Sequence, residues 1–182
     1  WQAQSLLAAQ VAKAKADYGT VVVIRPDTGD ILAQATVPTI DANNPAASPP
    51  ELRGNRAVSD VYEPGSTSKV MTLSAVVDAG KANALTHFTV PYSMSFGGRV
   101  LKDHDPHPVE HLTLNGILAQ SSNIGTYLAA TRIGPQLLYD TLKRFGIGER
   151  IGLGVPSESR GFVPAPADWS VTSFPTIAYG QG

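Results

Sequence analysis

The sequence contains no cysteine, which excludes disulfide bonds and thiolate metal sites. Charged residues make up only 16% of the chain, and 14 basic against 15 acidic side chains leave a formal net charge of −1. This balance provides no basic surface of the kind that binds phosphate backbones, so we expect no nucleic acid partner. No apolar run approaches the length of a bilayer, so the sequence predicts no membrane-spanning segment.

Apolar residues occupy 42% of the 182 positions, which is enough for one domain with a hydrophobic core. The chain begins with Trp1 rather than Met and shows no signal-peptide pattern. We therefore expect it to be a piece of a longer protein, whose location the piece does not reveal.

Periodicity predicts a mixture of helices and strands. Apolar residues at helical spacing predict an amphipathic helix over 1–17. Two β-branched runs, 20–24 and 31–37, flank the turn sequence Pro26-Asp27-Thr28-Gly29 and predict a hairpin, and a proline-rich loop over 38–60 follows. After residue 80, two short strands are predicted, at 88–90 and 99–101. Three helices are predicted over 112–120, 123–133 and 135–145, and the tail 147–182 is predicted to be irregular.

The next stretch is Tyr62-Glu63-Pro64-Gly65-Ser66-Thr67-Ser68-Lys69. Pro64 and Gly65 end whatever element precedes them, and a helix is predicted to begin at Ser66. Apolar residues at helical spacing follow it as far as a C-capping glycine: Val70, Leu73, Val77 and Gly80. Ser66 and Lys69 are then one turn apart on the same helix face. A buried lysine that loses its proton can activate a serine hydroxyl, and N–H groups at a helix N-terminus can stabilise an oxyanion.

Taken alone, the S-x-x-K pattern is weak evidence, because roughly half a match is expected by chance in a chain of this composition. The alternative is that Ser66 only caps a core helix and Lys69 extends to solvent. A second polar group, Ser121-Ser122-Asn123, lies between two predicted helices. Ser121 could transfer protons there and Asn123 could hold a substrate amide, while the alternative is ordinary capping by polar residues.

The segment 55–69 resembles the active-serine block of class B penicillin-binding proteins, the bacterial D,D-transpeptidases that cross-link peptidoglycan. The segment 120–125 resembles their S-x-N block. Three later stretches match in the same order: Phe145-Gly146-Ile147-Gly148, 156–161 and 178–182. The opening helix and hairpin match as well, so the resemblance covers nearly the whole chain. The block before Ser66 and the last five residues are closer to the cell-division branch than to the elongation branch.

This resemblance implies an α/β fold of the α+β type, the penicillin-binding transpeptidase and serine β-lactamase-like fold. In that fold helices flank an antiparallel sheet, which we expect to be incomplete in this fragment. Residues 1–182 would be the N-terminal portion of a single transpeptidase domain. The resemblance assigns the nucleophile to Ser66, the activating base to Lys69 and proton relay to Ser121, although the base in S-x-x-K enzymes is disputed. It assigns orientation of the donor peptide to Asn123, and it implies no cofactor and no metal.

The implied reaction is attack on the penultimate D-Ala carbonyl of a stem peptide, loss of the terminal D-Ala and transfer of the acyl group to an amine of a neighbouring stem peptide. β-Lactam antibiotics would acylate the same serine. The expected partners are peptidoglycan stem peptides, β-lactams and a divisome glycosyltransferase. The expected location is the extracytoplasmic face of the bacterial cell membrane, with an anchor outside this chain.

One family block is missing from the sequence. The family has a third motif, K-[ST]-G, but Lys102 is followed by Asp103 and His104, and no other lysine is followed by [ST]-G. That block supplies substrate contacts and a second oxyanion donor, and losing one such donor typically costs about 10²–10³ in rate. We therefore expect the chain alone to be poorly active and marginally stable without a segment that follows Gly182.

Three alternatives remain open. Asp27-Thr28-Gly29 follows an apolar strand, as an aspartic-protease triplet does, although its neighbours favour a turn. The residues His104, Asp105, His107 and His111 could bind a metal, although two prolines among them favour a solvated loop. A penicillin-binding sensor or scaffold module without catalytic activity would share all of the sequence evidence.

Overall fold

The computed structural model describes all 182 residues, which divide into two compact units. Unit 1 comprises Trp1–Val61 and Gly152–Ser159, and unit 2 comprises Tyr62–Ile151 and Arg160–Gly182. The strands pair only antiparallel, in three two-stranded sheets. None of the helices combines the length and the apolar character needed to cross a lipid bilayer.

Unit 1 is built on a helix and a hairpin, as the sequence predicts. Helix α1 (Gln2–Ala14) packs on strands β1 (Gly19–Ile24) and β2 (Ile31–Val37). The strand begins with Gly19 because a Cβ there would lie 2.6 Å from the Val11 side chain. The helix ends three residues earlier than predicted, because Lys15 adopts a left-handed conformation with φ 54° and turns the chain toward the sheet.

The turn between β1 and β2 holds the triplet of the aspartic-protease alternative. The N–H of Gly29 donates to the Arg25 carbonyl at 2.8 Å, and the Thr28 hydroxyl donates to the Asp30 carboxylate at 2.8 Å. Gly29 has φ 79°, a left-handed conformation that glycine adopts without steric cost. Asp27 is exposed. The triplet thus closes a hairpin.

Residues 38–60, predicted to be a loop, contain two 3₁₀ turns, Pro45–Ala47 and Pro50–Leu52, and a short helix α2 (Arg56–Ser59). The Asn55 side chain caps α2 by accepting a hydrogen bond from the Ala57 N–H. The Arg53 guanidinium donates to two backbone carbonyls of the preceding turn. Proline φ angles and side-chain bonds to the backbone thus order a stretch that has no long periodicity.

Unit 2 holds the other helices and strands. The strands are β3 (His87–Val90), β4 (Ser93–Phe96), β5 (Arg99–Lys102) and β6 (Glu110–Thr113). The helices are α3 (Lys69–Asp78), α4 (Leu114–Ala119), α5 (Asn123–Ala130), α6 (Gly134–Arg144) and α7 (Ser173–Ala178). Strand β3 pairs with β6, and β4 pairs with β5 across the Gly97-Gly98 turn.

Unit 2 differs from the sequence predictions in three places. Strand β4, which pairs with β5, was not predicted. The predicted helix over 112–120 starts later, because Leu112 pairs with Phe88 in the β3–β6 ladder and Thr113 then caps α4. Helix α7 lies in the tail predicted to be irregular. It is short and contains Pro175, so it lacks a clear helical pattern, and it forms where Ile177 and Ala178 are buried.

Helix α3 lies between two apolar clusters. The first joins α3 to β3, α4 and α5: Leu73, Val76, Phe88, Val90, Leu114, Ile117, Ile124 and Ala129. The second joins α5, α6 and α7: Ala130, Leu138, Leu142, Ile177 and Ala178. Burying each large aliphatic side chain contributes roughly 1.5–3 kcal/mol. The buried face of α3 is rotated from the predicted one, since Val70 and Val77 are exposed. The clusters fix the helix that presents Ser66.

Candidate active site

Ser66 lies in a 3₁₀ turn, Gly65–Ser68, that continues directly into α3. Gly65 has φ 57°, and the Thr67 hydroxyl donates to the Pro64 carbonyl at 2.6 Å. The Pro-Gly pair therefore bends the chain into the turn, as the sequence predicts. Ser66 is exposed, whereas the Lys69 side chain, one turn later, is buried.

Three side chains converge at this turn. The Nζ of Lys69 lies 3.1 Å from the Ser66 Oγ and 2.9 Å from the Ser121 Oγ, and it also donates to the Ser121 carbonyl. The Ser121 hydroxyl lies 2.9 Å from the Ser66 Oγ and completes a closed triangle. Lys69 is 1% exposed, so the alternative in which it extends to solvent is wrong.

The surroundings of Lys69 change its protonation. Burial disfavours the ammonium form and lowers its pKa from 10.5 to about 8, although the negative charge of Asp103 opposes this shift. At pH 7 about a tenth of the molecules therefore carry Lys69 as a neutral amine, against far fewer at the ordinary pKa. A neutral amine that contacts a serine hydroxyl can accept its proton.

Ser121 reaches the triangle because α4 ends in a left-handed residue. Its φ is 56°, and its N–H and that of Ser122 donate to the carbonyls of Leu118 and Ile117, which is the Schellman pattern. Glycine usually occupies this position, and a serine here costs roughly 1–2 kcal/mol of backbone strain. A residue with a side chain at this strained position is consistent with a functional role for its hydroxyl.

Asn123 is the first residue of α5 rather than its N-cap. The cap is Ser122, whose Oγ accepts a hydrogen bond from the Gly125 N–H at 2.8 Å. The Asn123 carboxamide instead donates to the Lys102 carbonyl on β5 at 3.2 Å. The S-x-N segment is thus attached both to α5 and to the end of β5.

The C-terminal segment 178–182 packs against the turn that carries Ser66. The Gly65 N–H donates to the Gly180 carbonyl at 2.9 Å, and the Gly182 N–H donates to the Glu63 carboxylate at 3.1 Å. Thr72, buried on α3, donates its hydroxyl to the Ala178 carbonyl at 2.7 Å. Motifs that are far apart in the sequence therefore form one wall of the site.

Asp103 is a residue of the site that the sequence reasoning missed. The prolines of the stretch 103–108 favour a solvated loop, yet Asp103 is 6% exposed and accepts a hydrogen bond from the S-x-N segment. No group of three or more His, Asp or Glu side chains is arranged to hold a metal ion. His107 hydrogen-bonds to Asp103 instead, at 3.1 Å. A buried carboxylate next to a polar motif leaves no periodic signal in the sequence.

The chain is similar to proteins of a known family. Residues 19–182 match the family model described as the penicillin-binding protein transpeptidase domain. The chain is 38% identical over 164 residues to penicillin-binding protein PbpB of Mycobacterium tuberculosis. This match covers 90% of this chain and 24% of that protein. It is 36% identical over 174 residues to peptidoglycan D,D-transpeptidase FtsI of Escherichia coli, covering 94% of this chain and 29% of that protein.

Solved structures show the same fold. The crystal structure of penicillin-binding protein 3 from M. tuberculosis complexed with aztreonam superposes with a TM-score of 0.85 at 37% identity, over 98% of this chain and 41% of that one. A peptidoglycan synthetase from Bifidobacterium adolescentis superposes with a TM-score of 0.90 at 34% identity, over all of this chain and 33% of that one. The chain spans about a quarter of the length of the first curated relatives it matches.

Proposed function

This chain belongs to the penicillin-binding protein transpeptidase family, and we propose that it carries the acyl-transfer site of a peptidoglycan D,D-transpeptidase. The observation that supports this function is that the side chains of Ser66, Lys69 and Ser121 contact one another, and that the pKa of Lys69 is lowered. A nucleophile in contact with a base, which a third group orients, is an arrangement that activates a serine for acyl transfer.

The first half-reaction forms an acyl-enzyme. The Ser66 Oγ attacks the carbonyl carbon of the penultimate D-Ala, and the neutral amine of Lys69 takes its proton, directly or through Ser121. The Ser66 N–H, at the N-terminal end of the helical turn, stabilises the oxyanion of the tetrahedral intermediate. The C–N bond then breaks as the leaving nitrogen receives a proton through Ser121. The products are free D-Ala and an ester on Ser66.

The second half-reaction reverses these roles. An amine of a neighbouring stem peptide attacks the ester carbonyl and gives up a proton to Lys69 or Ser121. Collapse of the intermediate forms the new amide and returns a proton to the Ser66 Oγ. Because the base and the relay lie within 3.1 Å of the same oxygen, one geometry serves both directions.

Asn123 orients the donor peptide. One N–H of its carboxamide is held by the Lys102 carbonyl, and this bond fixes the plane of the group. The second N–H and the carbonyl oxygen are then available to a peptide backbone, which presents one acceptor and one donor per residue. A polar group fixed in this way binds an extended stem peptide with a defined register.

β-Lactams acylate Ser66 in this proposal, since they present a strained amide to the same nucleophile. Complexes of the M. tuberculosis protein with aztreonam and with ampicillin support this assignment. The resemblance of the block before Ser66 and of the last five residues to the cell-division branch supports a role in cell division. We place the protein at the extracytoplasmic face of the membrane, anchored outside this chain and working with a divisome glycosyltransferase. Residues 1–182 are the N-terminal portion of its transpeptidase domain.

Release of D-Ala tests the proposal. The complete protein that carries this chain is incubated with a D-Ala-D-Ala peptide or thioester donor and an amine acceptor, beside a Ser66→Ala variant. We expect repeated turnover and a cross-linked product, both absent in the variant. A single acylation without turnover would instead favour the sensor or scaffold alternative.

A further inference from the structure

The carboxylate of Asp103 binds the first turn of α5. Its Oδ1 accepts hydrogen bonds from the backbone N–H groups of Asn123 and Ile124, the latter at 2.9 Å. Its Oδ2 accepts a hydrogen bond of 2.7 Å from the Ser122 hydroxyl. Asp103 follows the last residue of β5, so these contacts connect the strand end to the S-x-N segment.

His107 holds the same carboxylate from the other side. Its Nε2 lies 3.1 Å from the Asp103 Oδ2, and its Nδ1 lies 2.6 Å from the Pro108 carbonyl. Both partners only accept hydrogen bonds, so these contacts favour a ring with a proton on each nitrogen, the positively charged form. These acceptors and the nearby Glu110 raise the pKa of His107. The edge of the ring also packs against Tyr92.

This buried ion pair exceeds what capping of α5 requires. Ser122 already caps the helix through the Gly125 N–H, and burying a carboxylate carries a desolvation cost. The additional bonds instead fix the middle residue of the motif. With Ser122 directed at Asp103, its two neighbours meet the other groups of the site: Ser121 contacts Ser66 and Lys69, and Asn123 contacts the end of β5.

We propose that Asp103, braced by His107, is the positioning residue that sets Ser121 and Asn123 against the nucleophile, an inference that rests on the proposed function. The charge of Asp103 has a second effect, because it raises the pKa of Lys69 against the effect of burial. Removal of the charge should therefore lower the pKa of Lys69 as well as displace Ser121 and Asn123.

The direct test is Asp103→Asn in the complete protein, with a chromogenic β-lactam as the acylating reagent. We expect the acylation rate constant to fall by roughly 10- to 100-fold, the cost of a displacement near one ångström. The final stoichiometry stays at one acyl group per chain. The rising limb of the pH–rate profile moves to lower pH, because Lys69 loses a neighbouring negative charge.

The matched control is Asp105→Asn, the same chemical change at an exposed position of the same loop. It leaves the rate and the pH profile unchanged. Equal effects of the two substitutions, or a drop in stoichiometry at an unchanged rate constant, would overturn the proposal. The second outcome would mean that Asp103 only maintains the folded fraction.

If Asp103→Asn does not fold, a second pair of variants tests the proposal. His107→Gln keeps one donor for Asp103 but removes the positive charge, and we expect slower acylation than in the wild type. His104→Gln, an exposed histidine on the same loop, leaves the rate unchanged. An unchanged rate in His107→Gln would show that the histidine does not brace the carboxylate.

Hydrogen exchange separates this proposal from the proposed function. The N–H groups of Asn123 and Ile124 exchange slowly in the wild type and faster in Asp103→Asn, whether or not the protein reacts with β-lactams. If the wild type is not acylated, the proposed function fails, but the exchange rates still show whether Asp103 holds the first turn of α5. Identical exchange in both proteins would overturn the positioning role of Asp103.

Discussion

The backbone N–H of Gly65 donates a hydrogen bond of 2.9 Å to the carbonyl of Gly180. This bond attaches the turn that carries Ser66, the proposed nucleophile, to the segment that follows α7. Since Gly65 immediately precedes Ser66, any movement of Gly180 changes where the Ser66 Oγ lies. The C-terminal segment is therefore part of the active-site framework.

Substitution of Gly180 should disturb this framework. A Cβ at position 180 would overlap the Gly65 carbonyl and lie 2.8 Å from the Ser68 Cβ, and φ is 86°. We expect Gly180→Ala to lower the melting temperature and to slow acylation. Gly146→Ala is the matched control, with the same φ of 86° but open space around the new atom. It should lose only the roughly 1–2 kcal/mol that a left-handed alanine costs and keep its acylation rate.

The Thr72 hydroxyl ties α3 to the same segment. Thr72→Val keeps the shape of the side chain and removes the buried donor to the Ala178 carbonyl. We expect a loss of about 1–3 kcal/mol in the free energy of unfolding, measured with denaturant. Thr131→Val removes a bond of the same 2.7 Å length at an exposed site, where water replaces it. Equal losses in the two variants would contradict this assignment.

The acylation rate should rise with pH. Burial holds the pKa of Lys69 at about 8, and only the neutral amine can accept the proton of Ser66. The rate constant should therefore increase about tenfold per pH unit well below pH 8 and level off above it. Lys69→Arg keeps the positive charge but stays protonated, so it should react at least about 10²-fold more slowly and lose the rising limb. A flat profile in the wild type would contradict the assignment of Lys69 as base.

Ser121 should contribute to proton transfer. We expect Ser121→Ala to slow acylation by about 10²-fold, at the lower end for a general acid–base group, because Lys69 still contacts Ser66 directly. Ser157→Ala is the matched control, since Ser157 is also a non-glycine residue with positive φ, 67° against 56°. The control should react at the rate of the wild type. Stopped-flow measurement with a chromogenic β-lactam compares the two variants.

Local sequence patterns predicted the elements around the site. The Pro-Gly break and the i, i+3 spacing placed Ser66 and Lys69 on one turn, and the Gly80 end of α3 is confirmed by its Schellman bonds. The hairpin of β1 and β2 is confirmed as well. In each case, bonds between residues close in the sequence determine the structure.

Long-range contacts explain what the sequence did not predict. The buried face of α3 depends on which helices pack on it, so Val70 and Val77 were expected inside but are exposed. The role of Asp103 depends on β5 ending beside the first turn of α5, and no spacing in the sequence encodes that contact. Lys69 was identified from a motif, but its lowered pKa depends on its burial in the folded protein.

The most direct test of the central claim is the intact mass of the complete protein after incubation with benzylpenicillin, beside a Ser66→Ala variant. We predict one added penicilloyl group in the wild type, located on Ser66 by peptide mapping, and none in the variant. No adduct on the wild type, or an adduct that persists in Ser66→Ala, would contradict the assignment of Ser66 as the acylated nucleophile.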